Sequence, residues 1–409
     1  MSEAEVLVVG GGAAGLMAAI HAGRAGCKSV TVLDGARRIG AKILIAGGGR
    51  CNVTHYQVDA RAFAGSDRRS IDRVLRQFDV RRTIDFFREL GVELKQESTG
   101  KLFPVTDRAA TVLSALLKAA RDAHVQIVCS RRVENVHKLN DHFVVEGTWG
   151  SLQANRVILA TGGRSVPETG SDGHGYKIAK ELGHSLTPSI FPGLVPLTLP
   201  EKHFIRKLAG VSADASISLN TGNGRKIISF RNSVLLTHFG LSGPAILDIS
   251  RYVIDARSRQ EDAHLLIDWL PDIEKVLLQQ QLITSALSTP VSFLRKNLPD
   301  RLAESLVDVS GVSRSVRLSQ LKRDERNALI KNLKAFHVPV TGNRGFRYAE
   351  VTAGGVPLSE LNLKTMESSI QSDLYLCGEI CDVDGRIGGF NFQWAWASGV
   401  VAGLAAARV

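Results

Sequence analysis

The chain has 409 residues, 44% of them hydrophobic and 22% charged, which excludes a disordered or fibrous protein and leaves room for two or three cored domains. A formal net charge of +11 favours polyanions, or the phosphates of a cofactor, as binding partners. Cys27, Cys51, Cys129, Cys377 and Cys381 are odd in number and scattered, which excludes a disulfide framework, and the C-x-x-x-C spacing of the last two supports neither a zinc site nor a thioredoxin-like dithiol.

Taken in chain order, the first element is the apolar run Val6-Leu7-Val8-Val9, followed at once by Gly10-Gly11-Gly12-Ala13-Ala14-Gly15. This is G-x-G-x-x-G leaving a buried strand and opening a helix. Gly10 permits the tight turn, Gly12 lets the backbone approach a pyrophosphate, and Gly15 lets the helix lie close on the sheet. A second strand over residues 29–33 ends at Asp34, an acid able to accept hydrogen bonds from an adenosine ribose. The apolar stretch 6–20 lacks a basic leader, follows Glu3 and Glu5, and is too short and glycine-rich to span a bilayer, so the expected location is the cytoplasm, with no membrane contact.

Next comes Lys42-Ile43-Leu44-Ile45-Ala46-Gly47-Gly48-Gly49-Arg50-Cys51-Asn52, whose consecutive glycines can press against a flat ligand while Arg50 and Asn52 offer donors. Helical patterns are expected over 71–78, 80–90 and 109–120, the last with Val112, Leu113, Leu116 and Leu117 at amphipathic spacing. A third parallel strand is expected at 125–129, then an antiparallel meander over 133–136, 142–146 and 151–154, then a buried strand over 156–160 breaking at Thr161-Gly162-Gly163. From Pro188 to about residue 269 short alternating segments, with a Gly222-Asn223-Gly224 turn, read as a small all-β region. Residues 272–336 read as helices, including 274–287 and 323–336. Ser242 is the expected cap of a helix starting near Pro244. Strand signals return after Tyr348, including residues 374–377 ending in Gly378-Glu379, where a carboxylate can meet a ribityl hydroxyl. An apolar helix over 395–407 closes the chain.

The expected fold class is therefore α/β: a Rossmann-like FAD-binding domain in three layers, parallel sheet plus antiparallel meander, over residues 1–190 and 345–409. It is interrupted by a small all-β domain (191–270 and 337–344) and a helical domain (271–336). The late return to the nucleotide domain suits FAD better than NAD. No second G-x-G-x-x-G follows a strand, so NAD(P)H is expected only as a transient reductant. Residues 290–347 carry twelve Lys/Arg against five Asp/Glu, and 66–88 seven Arg against four Asp, a bias that would attract a polyanion or the phosphates of a cofactor, with a merely solvated basic surface as the alternative. The histidines show no paired spacing, so no metal is expected. His238 is a candidate acid–base group, with a loop-holding role as the alternative. Cys51 is a candidate proton donor or redox thiol, with packing as the alternative.

Residues 10–15, the stretch 42–52, Thr237-His238-Phe239-Gly240-Leu241-Ser242-Gly243-Pro244, and Gly378-Glu379 through Asp382-Val383-Asp384-Gly385 to Gly388-Gly389-Phe390-Asn391-Phe392-Gln393-Trp394-Ala395 together resemble the BaiN/RdsA family of FAD-dependent oxidoreductases, nearly end to end. The resemblance implies that the small all-β domain is β-barrel-like. It also implies reduction of a carbon–carbon double bond conjugated to a carbonyl, in a ribosomal RNA uridine or in a small steroid-like enone. It implies cofactor contacts at Gly10, Gly12, Ala14, Gly15, Asp34, Lys42, Gly49, Arg50, Cys51, Asn52, Thr161, Gly162, Gly378, Glu379, Gly388, Gly389, Phe390 and Asn391. Arg386 and Ile387 depart from the family pattern. A non-catalytic FAD-binding or ribosome-associated protein is the remaining alternative.

Overall fold

The computed structural model describes residues 3–408 and consists of two compact units, one built from both chain ends (to residue 192 and from 350) and one from residues 193–349. In the first, the strand Glu3–Val9 lies at the centre of a nine-stranded sheet, and within its apolar run Val6, Leu7 and Val8 are wholly buried. Parallel neighbours flank it: Val30–Leu33 and then Gln126–Val128 on one side, Gly150–Leu159 and then Leu374–Leu376 on the other. Helices on both faces are what lets the covered stretches of such strands be apolar.

The expected meander is present, with Asn135–Leu139 and His142–Gly147 antiparallel. Its third strand and the buried strand after it are a single element, Gly150–Leu159. The first half pairs antiparallel with His142–Gly147, and the strand runs parallel to Glu3–Val9. The amphipathic helix is Ala109–Asp122, burying Val112, Leu113 and Leu116.

The closing helix is longer than its apolar pattern suggested, running Phe390–Ala406. It begins where Gly389 adopts a left-handed conformation (φ 95°) and a Cβ would sit 2.6 Å from the Thr54 carbonyl carbon. It packs along the first helix, Ala13–Arg24, through a seam of small residues. A Cβ on Gly399 would lie 2.5 Å from the Ala14 carbonyl oxygen, and one on Gly403 would lie 2.1 Å from that of Ala18. Gly399 and Gly403 stand one turn apart, as Ala14 and Ala18 do, so backbone meets backbone with no side chain between. Polar groups buried in this helix are satisfied. Gln393 accepts from Thr54 Oγ1 (2.7 Å) and Thr83 Oγ1 (3.0 Å) and donates to the Phe78 carbonyl (2.8 Å), while Trp396 Nε1 donates to the Val53 carbonyl (2.8 Å).

In the second unit seven antiparallel strands follow the order 336–338, 263–268, 212–221, 226–237, 240–242, 197–198 and 342–343. Helices Pro244–Ser258, Lys275–Thr284, Asp300–Val309 and Arg323–Lys334 share one apolar core with that sheet, in which Ile217, Leu265, Trp269, Leu302 and Leu329 are buried together. The cap before Pro244 is Gly243 (φ 91°) rather than Ser242, and no side chain caps that helix. A Cβ at 243 would press on the Leu235 amide at 2.8 Å, so the close strand beneath decides the residue there.

Candidate active site

The carboxyl ends of the four central parallel strands converge where strand order reverses beside Glu3–Val9, the place where open α/β sheets bind ligands. Hydrogen bonding continues just past those ends and locks the loops together. Gly10 N–H donates to the Leu33 carbonyl (2.8 Å), Ala160 N–H to Val9 (2.9 Å) and Cys377 N–H to Leu159 (3.1 Å). Gly10 (φ 102°) has no space for a side chain, since a Cβ would meet the Ala160 carbonyl oxygen at 2.5 Å. A Cβ on Gly15 would lie 1.9 Å from the carbonyl oxygen of Gly10. The first helix starts at Gly12, which supplies no side-chain cap, so its positive N-terminal end faces outward from the turn. Asp34 closes this turn: Oδ2 accepts from Gly11 N–H (2.7 Å) and Oδ1 from Ala36 N–H (2.8 Å).

The second glycine motif is an ordered turn. Residues 41–45 form a helical turn, after which Gly47, Gly48 and Gly49 all take left-handed conformations (φ 57°, 69° and 84°), as does Cys51 (φ 60°). Successive left-handed residues turn backbone N–H groups to one side, the arrangement that cradles anions and ring carbonyls. Arg50 does not project freely from this turn. Its guanidinium lies 4.0 Å from the Phe103 ring centroid and pairs with Glu97 at 2.7 Å. Cys51 is fully buried, and burial pushes its thiol up to about 12, unlike the electropositive, exposed setting that activates a catalytic thiol.

Lys42 and Glu379 meet across 337 positions of sequence. Lys42 Nζ donates to Glu379 Oε2 at 2.8 Å and to Ser165 Oγ at 2.9 Å, while Glu379 Oε1 accepts from Ser165 Oγ (2.8 Å) and Thr352 N–H (2.9 Å). Burial pushes this carboxyl up, but the Lys42 ammonium and the donors on Ser165 and Thr352 outweigh it and hold Glu379 below the ordinary carboxylate range. Neither Ser165 nor Thr352 stands out in the sequence; Ser165 lies two residues past a glycine pair, and Thr352 carries no signal at all. Gly378 (φ 77°) brings this segment against the first helix, where a Cβ would meet that of Ala14 at 2.7 Å.

In the last motif Asn391 clamps its own loop, with Oδ1 accepting from Gly385 N–H and Nδ2 donating to the Gly385 carbonyl, both at 2.8 Å. Phe390 stacks on His55 at 5.0 Å, and Gly388 (φ 126°) and Gly389 form the turn between them.

A family model described as HI0933-like protein Rossmann domain matches residues 4–405. The chain belongs to that family. Across 98% of both chains it is 36% identical to the 3-dehydro-bile acid delta(4,6)-reductase of Clostridium scindens. It is 34% identical to the ribosomal RNA dihydrouridine synthase of Escherichia coli, over 97% of this chain and 96% of that one. The 3-ketosteroid delta1-dehydrogenase of Sterolibacterium denitrificans shares the fold over the whole of both chains, with a TM-score of 0.53 at 12% identity. This member of the HI0933-like family is an FAD-dependent oxidoreductase, as the motif resemblance implied.

The HI0933-like site fits a dinucleotide on two observations of its own. Asn52 Oδ1 and Thr161 Oγ1 are buried without a hydrogen-bond partner, which buried polar atoms rarely tolerate. Gly12, at an ordinary φ of −76°, has nothing within 4 Å of where a Cβ would stand, so no neighbour in the protein requires glycine there. Gly12→Ala is accordingly expected to leave the flavin-free protein within about 0.5 kcal/mol of its stability, yet to weaken FAD binding about tenfold or more. Paired thermal melts and FAD titrations check this, and unchanged FAD affinity would contradict it.

The structure thus joins Gly10, Gly15 and Thr161 in one close turn, with Asp34 bonded to Gly11 and Gly378 against Ala14, and it joins Lys42 to Glu379. Gly12 stands at the start of the first helix, Gly162 follows Thr161, and Gly49, Cys51 and Asn52 lie in the left-handed turn that follows Lys42. His238 belongs to the other unit, exposed at the tip of the hairpin joining Lys226–Thr237 to Gly240–Ser242. Among the described residues no helix is long and apolar enough to cross a membrane.

Proposed function

We propose that this enzyme reduces a carbon–carbon double bond conjugated to a carbonyl, and that its substrate is a uridine in ribosomal RNA, which becomes dihydrouridine. FAD, when bound, supplies the hydride-transfer chemistry, with NAD(P)H as a transient source of electrons. The chain's own part in this reading is to hold, orient and protonate. Gly10, Gly12 and Gly15 admit the pyrophosphate to the helix end, and Asp34 keeps spare lone pairs for the ribose. Asn52 and Thr161 would offer their unpartnered oxygens to the cofactor, and the Lys42–Glu379 pair, through Ser165 and Thr352, stiffens the loops that would hold it. His238, whose exposed imidazole has no hydrogen-bond partner among the described residues, is the proton donor in preference to the buried Cys51 thiol.

The observation that carries the RNA reading is the charge of the second unit. Arg323 and Lys331 stand exposed two turns apart on one helix, and Lys296 and Arg317 are exposed nearby in sequence. None of the four has a carboxylate partner among the described residues. A small hydrophobic enone needs no such surface, although the Clostridium relative's name points to one. Mass spectrometry of ribosomal RNA from cells with and without the gene tests the reading. One uridine is expected to lose its two-hydrogen mass increment in the deletion and regain it on incubation with the purified flavoprotein and NAD(P)H. Identical RNA from both strains, alongside turnover of a steroid-like enone, would replace it with the small-molecule reading.

A further inference from the structure

Most arginines of the second unit are held by carboxylates or carbonyls. Arg231 pairs with Asp272 at 2.7 Å, Arg259 with Asp255 at 2.9 Å and Arg295 with Glu304 at 2.8 Å, while Arg301 donates to the Lys207 carbonyl at 2.6 Å. Arg344 is held differently. Its guanidinium carbon lies 3.8 Å from the centroid of the Tyr348 ring and 4.4 Å from that of Phe239, and no carboxylate or carbonyl among the described residues accepts from its side chain. Two aromatic faces fix the plane of the guanidinium through cation–π and stacking contacts, which consume none of its N–H donors. The five donors are therefore oriented in advance and unpaired.

The backbone holds the pair of rings in place. Arg344 N–H donates to the Pro196 carbonyl at 3.1 Å, Gly345 N–H to Asn343 Oδ1 at 2.8 Å, and Tyr348 N–H to the Gly345 carbonyl at 3.1 Å. Phe239 sits at the tip of the hairpin whose turn is braced by Thr237 Oγ1, which accepts from Gly240 N–H at 3.1 Å, and by Arg206 Nε, which donates to the His238 carbonyl at 2.7 Å. Tyr348 remains 50% exposed, and the His238 ring stands edge-on to Phe239 at 5.1 Å. The cluster thus presents a fixed fork of donors, flanked by exposed ring surface and an imidazole, on the basic unit of the protein.

A planar fork with free donors matches the two oxygens of a phosphate, and exposed ring surface beside it matches an unstacked base. We propose that Arg344, clamped between Phe239 and Tyr348, is the phosphate anchor that positions the target nucleotide, holding its backbone while the neighbouring base leaves its stack. This rests on the RNA reading above, and it adds which residues of the second unit determine where the strand sits.

The test uses the FAD-loaded full chain, ribosomal RNA from the deletion strain, and affinity measured across a salt series. Arg344→Gln is expected to weaken binding about tenfold and to lower the slope of log affinity against log salt by about 0.7 to 0.9, the loss of one phosphate contact. KM for dihydrouridine formation should rise in parallel, with kcat within about twofold and flavin content unchanged. Arg344→Lys should restore the slope but only part of the affinity, because charge returns without the fork. Tyr348→Leu should weaken binding severalfold at an unchanged slope, since the cation stays and its orientation goes. Arg231→Gln, which removes an equal charge already paired with Asp272, should bind as the unaltered protein does. A wild-type slope and KM in Arg344→Gln, with RNA still reduced, would overturn the anchor alone. An unaltered protein that neither binds nor reduces the RNA would overturn both readings.

Discussion

Gly403→Val is expected to cost at least about 3 kcal/mol, and the variant should be recovered largely unfolded or without flavin. The first added atom would lie 2.1 Å from the carbonyl oxygen of Ala18, backbone that cannot rotate away as a side chain can. Relief requires the last helix to move off the first, and both helices serve the site. The first begins at the glycine turn, and the last carries Trp394, whose Nε1 donates to the Gly378 carbonyl at 3.0 Å, and Ser398, whose Oγ accepts from Gly378 N–H at 2.9 Å. Gly403→Ala should give a smaller effect in the same direction. Leu404→Ala, one residue on and 40% exposed, should change stability by less than about 1 kcal/mol. Chemical denaturation of the three variants checks the order, and a Gly403→Val protein as stable as the parent would show that the helices are not in backbone contact.

Lys42→Met is expected to be the second large effect, about 3 kcal/mol, with flavin retention lowered as well. Lys42 and Glu379 have side chains only 28% and 19% exposed, so removing the ammonium strands a carboxylate that Ser165 and Thr352 can still hydrogen-bond but not neutralise. The double variant Lys42→Met with Glu379→Gln should lose less than the sum of the single losses, because no charge is then left alone. The pair also sets an acid limit. Because Glu379 is held below its ordinary value in the fold, its contribution is complete above the unfolded carboxyl's pKa of 4.5 and disappears as pH falls through the lower folded value. Denaturation measured from neutral to acid pH should therefore show a steeper loss in the parent than in the double variant. Additive single effects and matching acid limbs would show the two groups to be uncoupled.

What could be read in the chain alone follows from short range. Strand, glycine turn and helix occupy residues 3–24 in an unbroken run. The central parallel strands announce themselves because the stretch of a strand covered on both faces must be apolar, as Val6–Val9, Val30–Leu33 and Val157–Leu159 nearly are. The 109–122 helix shows itself by periodicity, and the glycine motifs show where backbone must turn against its usual handedness. The closing helix was visible only from its small apolar residues. Its true start at Phe390 depends on Gly389 fitting over Thr54, a contact no local pattern contains.

The functional details lay beyond that range. Glu379, legible as a carboxylate for a sugar hydroxyl, turned out to be the partner of Lys42, and Arg50, legible as a phosphate donor, proved to be engaged with Glu97 and Phe103. Ser165 and Thr352 could not be found at all, since a serine or threonine earns its role from the atom it faces. Arg344 reads as one more positive charge in a basic stretch, and only the folded hairpin that brings Phe239 to it makes it a fixed fork. The sequence by itself determined the cofactor class and where the backbone turns at the strand ends, because those rest on glycine, apolar runs and hydrogen bonding between neighbours. The tertiary structure alone decided which charges are spent inside the protein and which remain available, because an ion pair or a stacked cation is a property of two side chains that the chain order does not connect.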